Sequence, residues 1–417
     1  MHLRHLLLLL PLLSACGETA TTTTPRGDAS TTPPRDAFVL DLAWPDDAEV
    51  PADSGITPVD TPAVTDTPVV TDTPVVTDTP AVTDTPAVTD TPAVTDTPVV
   101  TDAPLSCPPP PACEAPPPSP SPMTSWRNFL TRLTVAKGAP RHRGRDLFLR
   151  EGDPAWAIGK FAYGVLDDDL NDEDVEVFLL RGCATWERLG EARTSVDSAP
   201  HAPVEGVDDT GGRVYLPITP ERPLAVGWHR VRFVVRGDHS VAEQWIRVVP
   251  RDARFVVTDI DGTLTDDENA QFASLLTGRP PGMNPGGPAV INALVSRGYE
   301  VLYLTARPEW LYTTTHTWLR DNGFPRGVVH TTLGLTGALG GAAVTFKTQE
   351  IAAMRARFGA APEVGVGNTD SDVTAYTTQS VRSRFYYRYT GDVMGGTRVD
   401  DYNALAASLR ALPAICR

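Results

Sequence analysis

Two aspartates one residue apart close a run of strand residues in FVVTDIDGTLTDDENAQ, residues 255 to 271, where Asp259 and Asp261 precede Gly262 and Thr263. Three further pieces follow in order: VLYLTARP with Thr305 and Arg307, TFKTQEI with Lys347, and VGVGNTDSD with Asn368, Asp370 and Asp372. Such a set suits a phosphate monoester, whose hydrolysis sets one anion against another and so needs a nucleophile, charge neutralisation and a proton donor. Asp259 is placed to attack phosphorus and form an aspartyl-phosphate, and Asp261 to protonate the leaving oxygen and then activate water. A hard cation such as Mg²⁺ would be held by Asp259, the backbone carbonyl of Asp261 and an acid of the last piece. Thr305 would bond a phosphoryl oxygen, and Lys347 would neutralise charge on nucleophile and phosphate. Gly262 and Thr263 join Thr305 and Arg307 as expected substrate contacts. Arg307 has a plainer reading as an exposed salt-bridge partner, and Asp261 or Asp372 as helix caps; four pieces in order outweigh these single readings.

The elements that must position these residues alternate after Val249-Pro250. The pattern predicts strands over 254 to 258, 300 to 304 and 363 to 367, and helices over about 288 to 297, 309 to 322 and 348 to 358. Pro288 opens the first helix, and Gly298, Gly323 and Gly359 follow the three in turn. Such alternation implies a parallel sheet with helices on both faces, and all four pieces then fall at one edge of it.

Over residues 254 to 376 the four motifs resemble those of the haloacid dehalogenase (HAD) superfamily of phosphohydrolases. DIDGTLT, LYLTARP, FKTQEI and VGNTDSDVTAY look more narrowly like the catalytic domain of lipins, Mg²⁺-dependent phosphatidate phosphatases. The resemblance implies a HAD-like Rossmannoid three-layer α/β domain. It also implies Asp259, Asp261, Thr305 and Lys347 as catalytic residues, and a metal site of Asp259, Asp261 and Asp372 with Asn368 beside it and Asp370 as the rival ligand. Phosphatidate is the leading substrate by resemblance. An aspartate two residues after the nucleophile favours hydrolysis, since ion-pumping members of the superfamily carry threonine there. The alternatives are a surface phosphatase for nucleotides or other soluble phosphomonoesters, and a surface protein that binds phospholipid without turnover. The spacing of the motifs leaves no room for a large lid, so the site is expected to be open, as a lipid head group presented on a surface requires.

Between residues 155 and 250, β-branched runs such as DVEVFLLRG, WHRVRFVVRG and AEQWIRVVP are separated by turn signals, which predicts a small antiparallel β-sandwich over residues 123 to 250. The acidic run DDDLNDED, Asp167 to Asp174, fails as an EF-hand because Asp172 stands where glycine is required and Phe178 where the bidentate glutamate belongs. A solvated turn is the expectation.

The N-terminus, MHLRHLLLLLPLLSAC, has a basic start and an apolar run too short to span a bilayer. Leu13-Ser14-Ala15-Cys16 resembles the lipobox of bacterial lipoproteins, which implies a signal over residues 1 to 16, lipidation at Cys16, anchorage in the cell envelope and, from Gly17, the outer membrane. Residues 17 to 122 read as a disordered stalk. The hexad TPAVTD or TPVVTD repeats from about 57 to 102, with proline excluding helix and one aspartate per repeat; at about 3.1 Å per residue such a stalk reaches roughly 300 Å. The chain has 417 residues, 40 of them proline, and a formal charge of −16. That charge argues against nucleic acid or an anionic membrane surface as a partner, yet Asp60, Asp66, Asp72, Asp78, Asp84, Asp90, Asp96 and Asp102 of the repeat account for half of it, which therefore belongs to a tail. Cys107, Cys113, Cys183 and Cys416 match no zinc pattern and read as disulfides or idle thiols, Cys107 and Cys113 being near enough to close a small loop. The phosphatase domain is expected over residues 251 to 417.

Overall fold

The computed structural model describes residues 106–267, 280–412 and 414–416. A β-sandwich domain is followed by a parallel-sheet domain, a mixed α/β architecture. The sandwich part holds α1 (Thr131–Val135), β1 (Arg143–Gly144), β2 (Leu147–Arg150), β3 (Ala155–Lys160), β4 (Ala162–Tyr163), β5 (Asp168–Asp169), β6 (Asp174–Arg181), β7 (Thr185–Arg193), β8 (Arg213–Ile218), β9 (Gly227–Val235) and β10 (Val241–Val249). A three-stranded sheet in the order β1-β3-β8 faces a five-stranded sheet in the order β2-β10-β9-β6-β7, and β4 pairs with β5. Alternation builds the layer. Val231, Phe233 and Val235 of β9 point into the shared core, while Arg232 between them meets Glu243 of β10 at 3.0 Å. β7 lies at the sheet edge and is charged along its length, TWERLGEAR, which shields an open edge and hides the strand from a search for apolar runs.

The acidic run is not a solvated turn. Asp167 pairs with the buried Arg143 at 2.5 Å, Asp168 with Lys137 at 2.6 Å and Asp169 with Lys160 at 2.6 Å. Glu173 accepts from the backbone N–H groups of Arg127 and Asn128 and from the Thr131 hydroxyl. Each of these acids has a protein partner, which a scan along the chain cannot see because the cations lie on other elements.

The second part holds β11 (Arg254–Thr258), α2 (Gly287–Val295), β12 (Tyr299–Pro308), α3 (Tyr312–Asp321), β13 (Val328–Thr332), α4 (Gly340–Phe358), β14 (Val364–Gly367), α5 (Asp370–Thr378), β15 (Ser383–Tyr387), β16 (Thr397–Val399) and α6 (Tyr402–Arg410). Six parallel strands run in the order β13-β12-β11-β14-β15-β16. Both faces are covered: Val256 of β11 packs with residues of α2, α3 and α6, whereas Phe255 and Val257 pack with residues of α4 and α5 and with Phe148 and Trp228 of the sandwich. That double burial is why β11 reads as a continuous apolar run. Helix α4 begins at Gly340, about two turns before the expected start, because the glycine-rich GGAAVTF carries no polar period to signal a helix. β13, α5, β15, β16 and α6 were not anticipated; they are short and rich in polar residues.

The two parts meet through buried charge. Glu309, just after β12, accepts from Arg143 at 3.0 Å and from Arg213 at 2.7 Å, both from the three-stranded sheet. Asp146, fully buried, accepts from the backbone N–H groups of Trp245 (2.8 Å) and Val329 (3.0 Å), from His316 (2.9 Å) and from the Tyr312 hydroxyl. Neither part closes these sites alone.

Residues 107 to 122, expected in the stalk, lie against both parts. Cys107 is bonded to Cys416 and Cys113 to Cys183, with Cα separations of 5.0 and 4.3 Å; the two neighbours do not close a loop with each other. Trp186 donates to the Ala115 carbonyl, Arg326 to the Pro111 carbonyl and Ser121 to Glu176. A proline-rich composition suggested a stalk here because proline cannot join a ladder, yet its free carbonyls accept side-chain donors well. The repeat and Cys16 lie outside the described residues.

Candidate functional site

The strand order runs outward in both directions from β11, and the carboxyl ends of β11, β12 and β14 gather at that point, the usual place for a crevice in an open α/β sheet. Asp259 leaves β11 with its N–H bonded to the Val366 carbonyl of β14 (3.0 Å). Gly262 then takes φ +69°, a left-handed turn natural to glycine, and its N–H bonds the Thr265 hydroxyl. Across the turn, Gly367 ends β14 where a Cβ would stand 2.5 Å from the Asp372 Cβ, so no larger residue fits.

Asp259, Asp261, Thr305, Arg307, Lys347 and Asp372 converge. Lys347 sits inside α4 rather than at its start, and its Nζ bridges Asp259 Oδ1 at 2.8 Å and Asp372 Oδ1 at 2.7 Å. Thr263 Oγ1 lies 2.7 Å from Asn368 Oδ1 and 3.1 Å from Asp259 Oδ2, sharing one hydroxyl proton between them. Thr305 Oγ1 donates to Asp261 Oδ2 at 3.0 Å. Arg307, read from sequence as more naturally exposed, is buried and grips Asp261 by a fork, Nε to Oδ2 at 2.8 Å and Nη2 to Oδ1 at 2.7 Å. The other oxygen of Asp372, Oδ2, accepts from the Asn368 and Thr369 N–H groups and so closes a capping box with Thr369 at the start of α5. Asp370, the rival ligand, is exposed and pairs with the Tyr389 hydroxyl instead.

Two residues that motif reasoning passed over hold the turn. Asn284 is buried and donates to the carbonyls of Gly262, Thr263 and Thr265, and Tyr402 donates to the Thr263 carbonyl. Neither carries a local signal. The one clue to Asn284 is a polar residue in a Gly/Pro stretch, a feature shared by ordinary turns.

Three acids face two cations. Burial pushes the Asp259 carboxyl up to about 7 against the pull of Lys347, with Asp372 and Asp261 adding to the rise. Burial works against the Lys347 ammonium, but Asp259 and Asp372 hold it above its usual value. The site opens into a cleft of about 670 Å³. Its floor is charged, with Asp259, Asp261, Arg307 and Lys347, while Ala306, Ala338, Leu339 and Val344 make its wall apolar.

Residues 256–388 match the family described as "PITM 1-3, LNS2 domain", and residues 140–248 match "PITM 1-3, beta-sandwich domain". The chain is 32% identical to human membrane-associated phosphatidylinositol transfer protein 1 over 218 residues, 52% of this chain and 16% of that protein. It is 29% identical to the human membrane-associated phosphatidylinositol transfer protein 3 over 52% of this chain and 20% of the other, and 27% identical to the retinal degeneration B protein of Drosophila melanogaster over 63% and 19%. The chain therefore corresponds to less than a quarter of the length of these relatives. Among solved structures, a Dunaliella salina protein named DsGPDH aligns at 20% identity over 37% of this chain and 28% of that one, with a TM-score of 0.29 that carries no argument.

These matches correct the reading from motifs. The lipin-like phosphatase assignment is overturned, because both folded parts match domains of proteins named for phosphatidylinositol transfer, not phosphatases. The expectation of an enzyme, and with it of hydrolysis through an aspartyl-phosphate, goes the same way. So does the bacterial outer-membrane lipoprotein, since the relatives are animal proteins, two of them named as membrane-associated. No helix among the described residues is long and apolar enough to cross a membrane. Sandwich and parallel-sheet domain are thus each similar to a domain of the membrane-associated phosphatidylinositol transfer proteins.

Proposed function

We propose that the cleft binds the phosphate head group of an anionic phospholipid and holds it without hydrolysis. The observation that carries this reading is the state of Asp261. A general acid needs a free carboxyl, and Asp261 is instead gripped by the Arg307 fork and bonded by Thr305. The HAD-like Rossmannoid layering supplies a phosphate cradle of the same shape with that proton donor engaged elsewhere. A phosphomonoester lipid such as phosphatidate suits a charged floor beneath an apolar wall, since its glycerol and acyl carbons leave along Leu339 and Val344.

The donor set fits a hard cation. Among the described residues no three His, Cys, Asp or Glu side chains form a metal-holding group, so the ligands would be Asp259 and the oxygen donors beside it, the Asp261 carbonyl and Asn368, with Asp372 kept by Lys347 and its cap. Mg²⁺ bound there would offset the surplus acid and supply positive charge to the phosphate. Arg307 and Lys347 orient the head group, and Thr305 fixes Asp261.

Vesicles of phosphatidylcholine with and without phosphatidate test this, with inorganic phosphate release measured in parallel. Binding is expected to favour phosphatidate, to fall about tenfold or more in Arg307→Ala, and to weaken when EDTA removes the cation, with no phosphate released. Mg²⁺-dependent phosphate release that disappears in Asp259→Asn would overturn the reading.

A further inference from the structure

Among the described residues, most large apolar side chains that face solvent are not scattered. Leu335 and Leu339 project from the loop between β13 and α4, and Leu339, at the cleft wall, is 87% exposed. Residues 331 to 346, TTLGLTGALGGAAVTF, contain no charged side chain. The Leu335 carbonyl accepts from Trp310 Nε1 (2.8 Å), the Trp310 ring lies 4.4 Å beneath the Arg141 guanidinium, and Arg141 donates to the Val165 carbonyl (3.3 Å). Val165 and Leu166 form the tip of the β4–β5 turn and are 77% and 71% exposed. Gly164 at the base of that turn donates to the Ala139 carbonyl, just beyond α1, where Phe129, before the helix, and Leu133, within it, are 79% and 62% exposed. A connected line of contacts therefore runs from the loop beside the cleft to the β4–β5 turn and the α1 segment of the sandwich.

We propose that this line is a membrane-docking face, which seats the whole two-domain body on an anionic bilayer with the cleft against the head groups. It rests on the proposed head-group binding and names the surface that presents the lipid. Three observations favour a bilayer over a protein. The apolar tips stand in pairs on three separate segments, each able to enter the interface between head groups and acyl chains, where a protein partner would need one packed patch. Arg141 lies on the line beside the apolar tips, and the nearby acids Asp167 and Asp168 are already paired with Arg143 and Lys137. The line ends at the proposed phosphate site, so one approach satisfies both. A site so deep, with Asp259 and Arg307 buried, reaches a head group only if its rim enters the bilayer surface.

The test uses the full chain and two surface variants, Leu335→Ser and Val165→Ser/Leu166→Ser, in flotation with phosphatidylcholine vesicles containing phosphatidate. Glycerol 3-phosphate binding, thermal midpoint and oligomeric state are measured alongside. Each variant is expected to lose about tenfold or more in vesicle affinity while keeping its thermal midpoint, its monomer or oligomer state and its affinity for glycerol 3-phosphate. Unchanged vesicle binding in both variants overturns the docking face, as does a wild-type chain that ignores vesicles. A change of oligomeric state in place of vesicle affinity also overturns it, by assigning the face to a second copy. Vesicle binding that depends on the leucines but ignores phosphatidate and Arg307→Ala supports the face and sinks the head-group reading alone.

Discussion

Two clusters of buried charge lie at either end of a short stretch of chain, and they are built to opposite plans. At the junction of the two parts, Arg143 and Arg213 face Asp167 and Glu309, two cations to two acids. In the cleft, Lys347 and Arg307 face Asp259, Asp261 and Asp372. Burial raises both central carboxyls, but at Glu309 the paired arginines win and hold it below its ordinary value, whereas Asp259 is pushed up to about 7. A balanced cluster is a joint. One with an acid to spare is a site waiting for positive charge, and perturbed acids of that kind gather where ligands bind. The two are linked by β12: Arg307 and Glu309 are next-but-one neighbours, so the sandwich anchors the strand end that holds Arg307 against Asp261.

Breaking each cluster at its central acid should separate them most. Glu309→Gln leaves the buried Arg213 guanidinium without its counter-charge and Arg143 with Asp167 alone, and is expected to cost about 3–5 kcal/mol, read by urea denaturation. Asp259→Asn removes a charge the fold disfavours. Because its folded value lies above the unfolded one, Asp259 contributes stability at low pH that is lost as pH rises through about 7, so at pH 8 the variant should unfold no more easily than wild type. A large loss there would erase the distinction between joint and site.

Acid probes the sandwich side. Burial, the largest influence, lowers His142 to about 4; its Nδ1 accepts from the Ala162 N–H and its Nε2 meets Ser240. The unfolded chain binds a proton between pH 6.5 and about 4 that the folded chain refuses, so stability should fall across that window by roughly 3 kcal/mol. His142→Asn should flatten the slope in a pH series of thermal midpoints. The smallest effect is expected at Thr369→Ala, which opens the capping box of α5 for about 1 kcal/mol. Lipid binding should change with it only if Asp372 then turns away from Lys347.

The motif residues were legible because each sits at a strand end or on a helix whose sequence carries a period, and the fold gathers Asp259, Thr305, Lys347 and Asp372 at one edge of the sheet. What they do was not legible. The same aspartate, threonine and lysine serve hydrolysis or binding, and the decision turns on where Arg307 points, a matter of the β12 end and the glutamate beside it. The acidic run at 167 to 174 failed for a similar reason, its cations being supplied by other elements. The strap at 107 to 122 was misjudged by composition, since proline richness reports on hydrogen-bond donors and not on cysteine partners far along the chain.

By itself the sequence determined the alternation of apolar runs in β6, β9, β10, β11 and β12, and the order of the four chemical pieces, because local periodicity and residue type are properties of neighbours. Tertiary structure alone decided the pairing of cysteines, the balance of charge in each buried cluster and the line of exposed leucine, valine and phenylalanine from sandwich to cleft. Those depend on which distant side chains share a low-dielectric interior or a common surface, and Coulomb energy and burial follow distance in space, not separation along the chain.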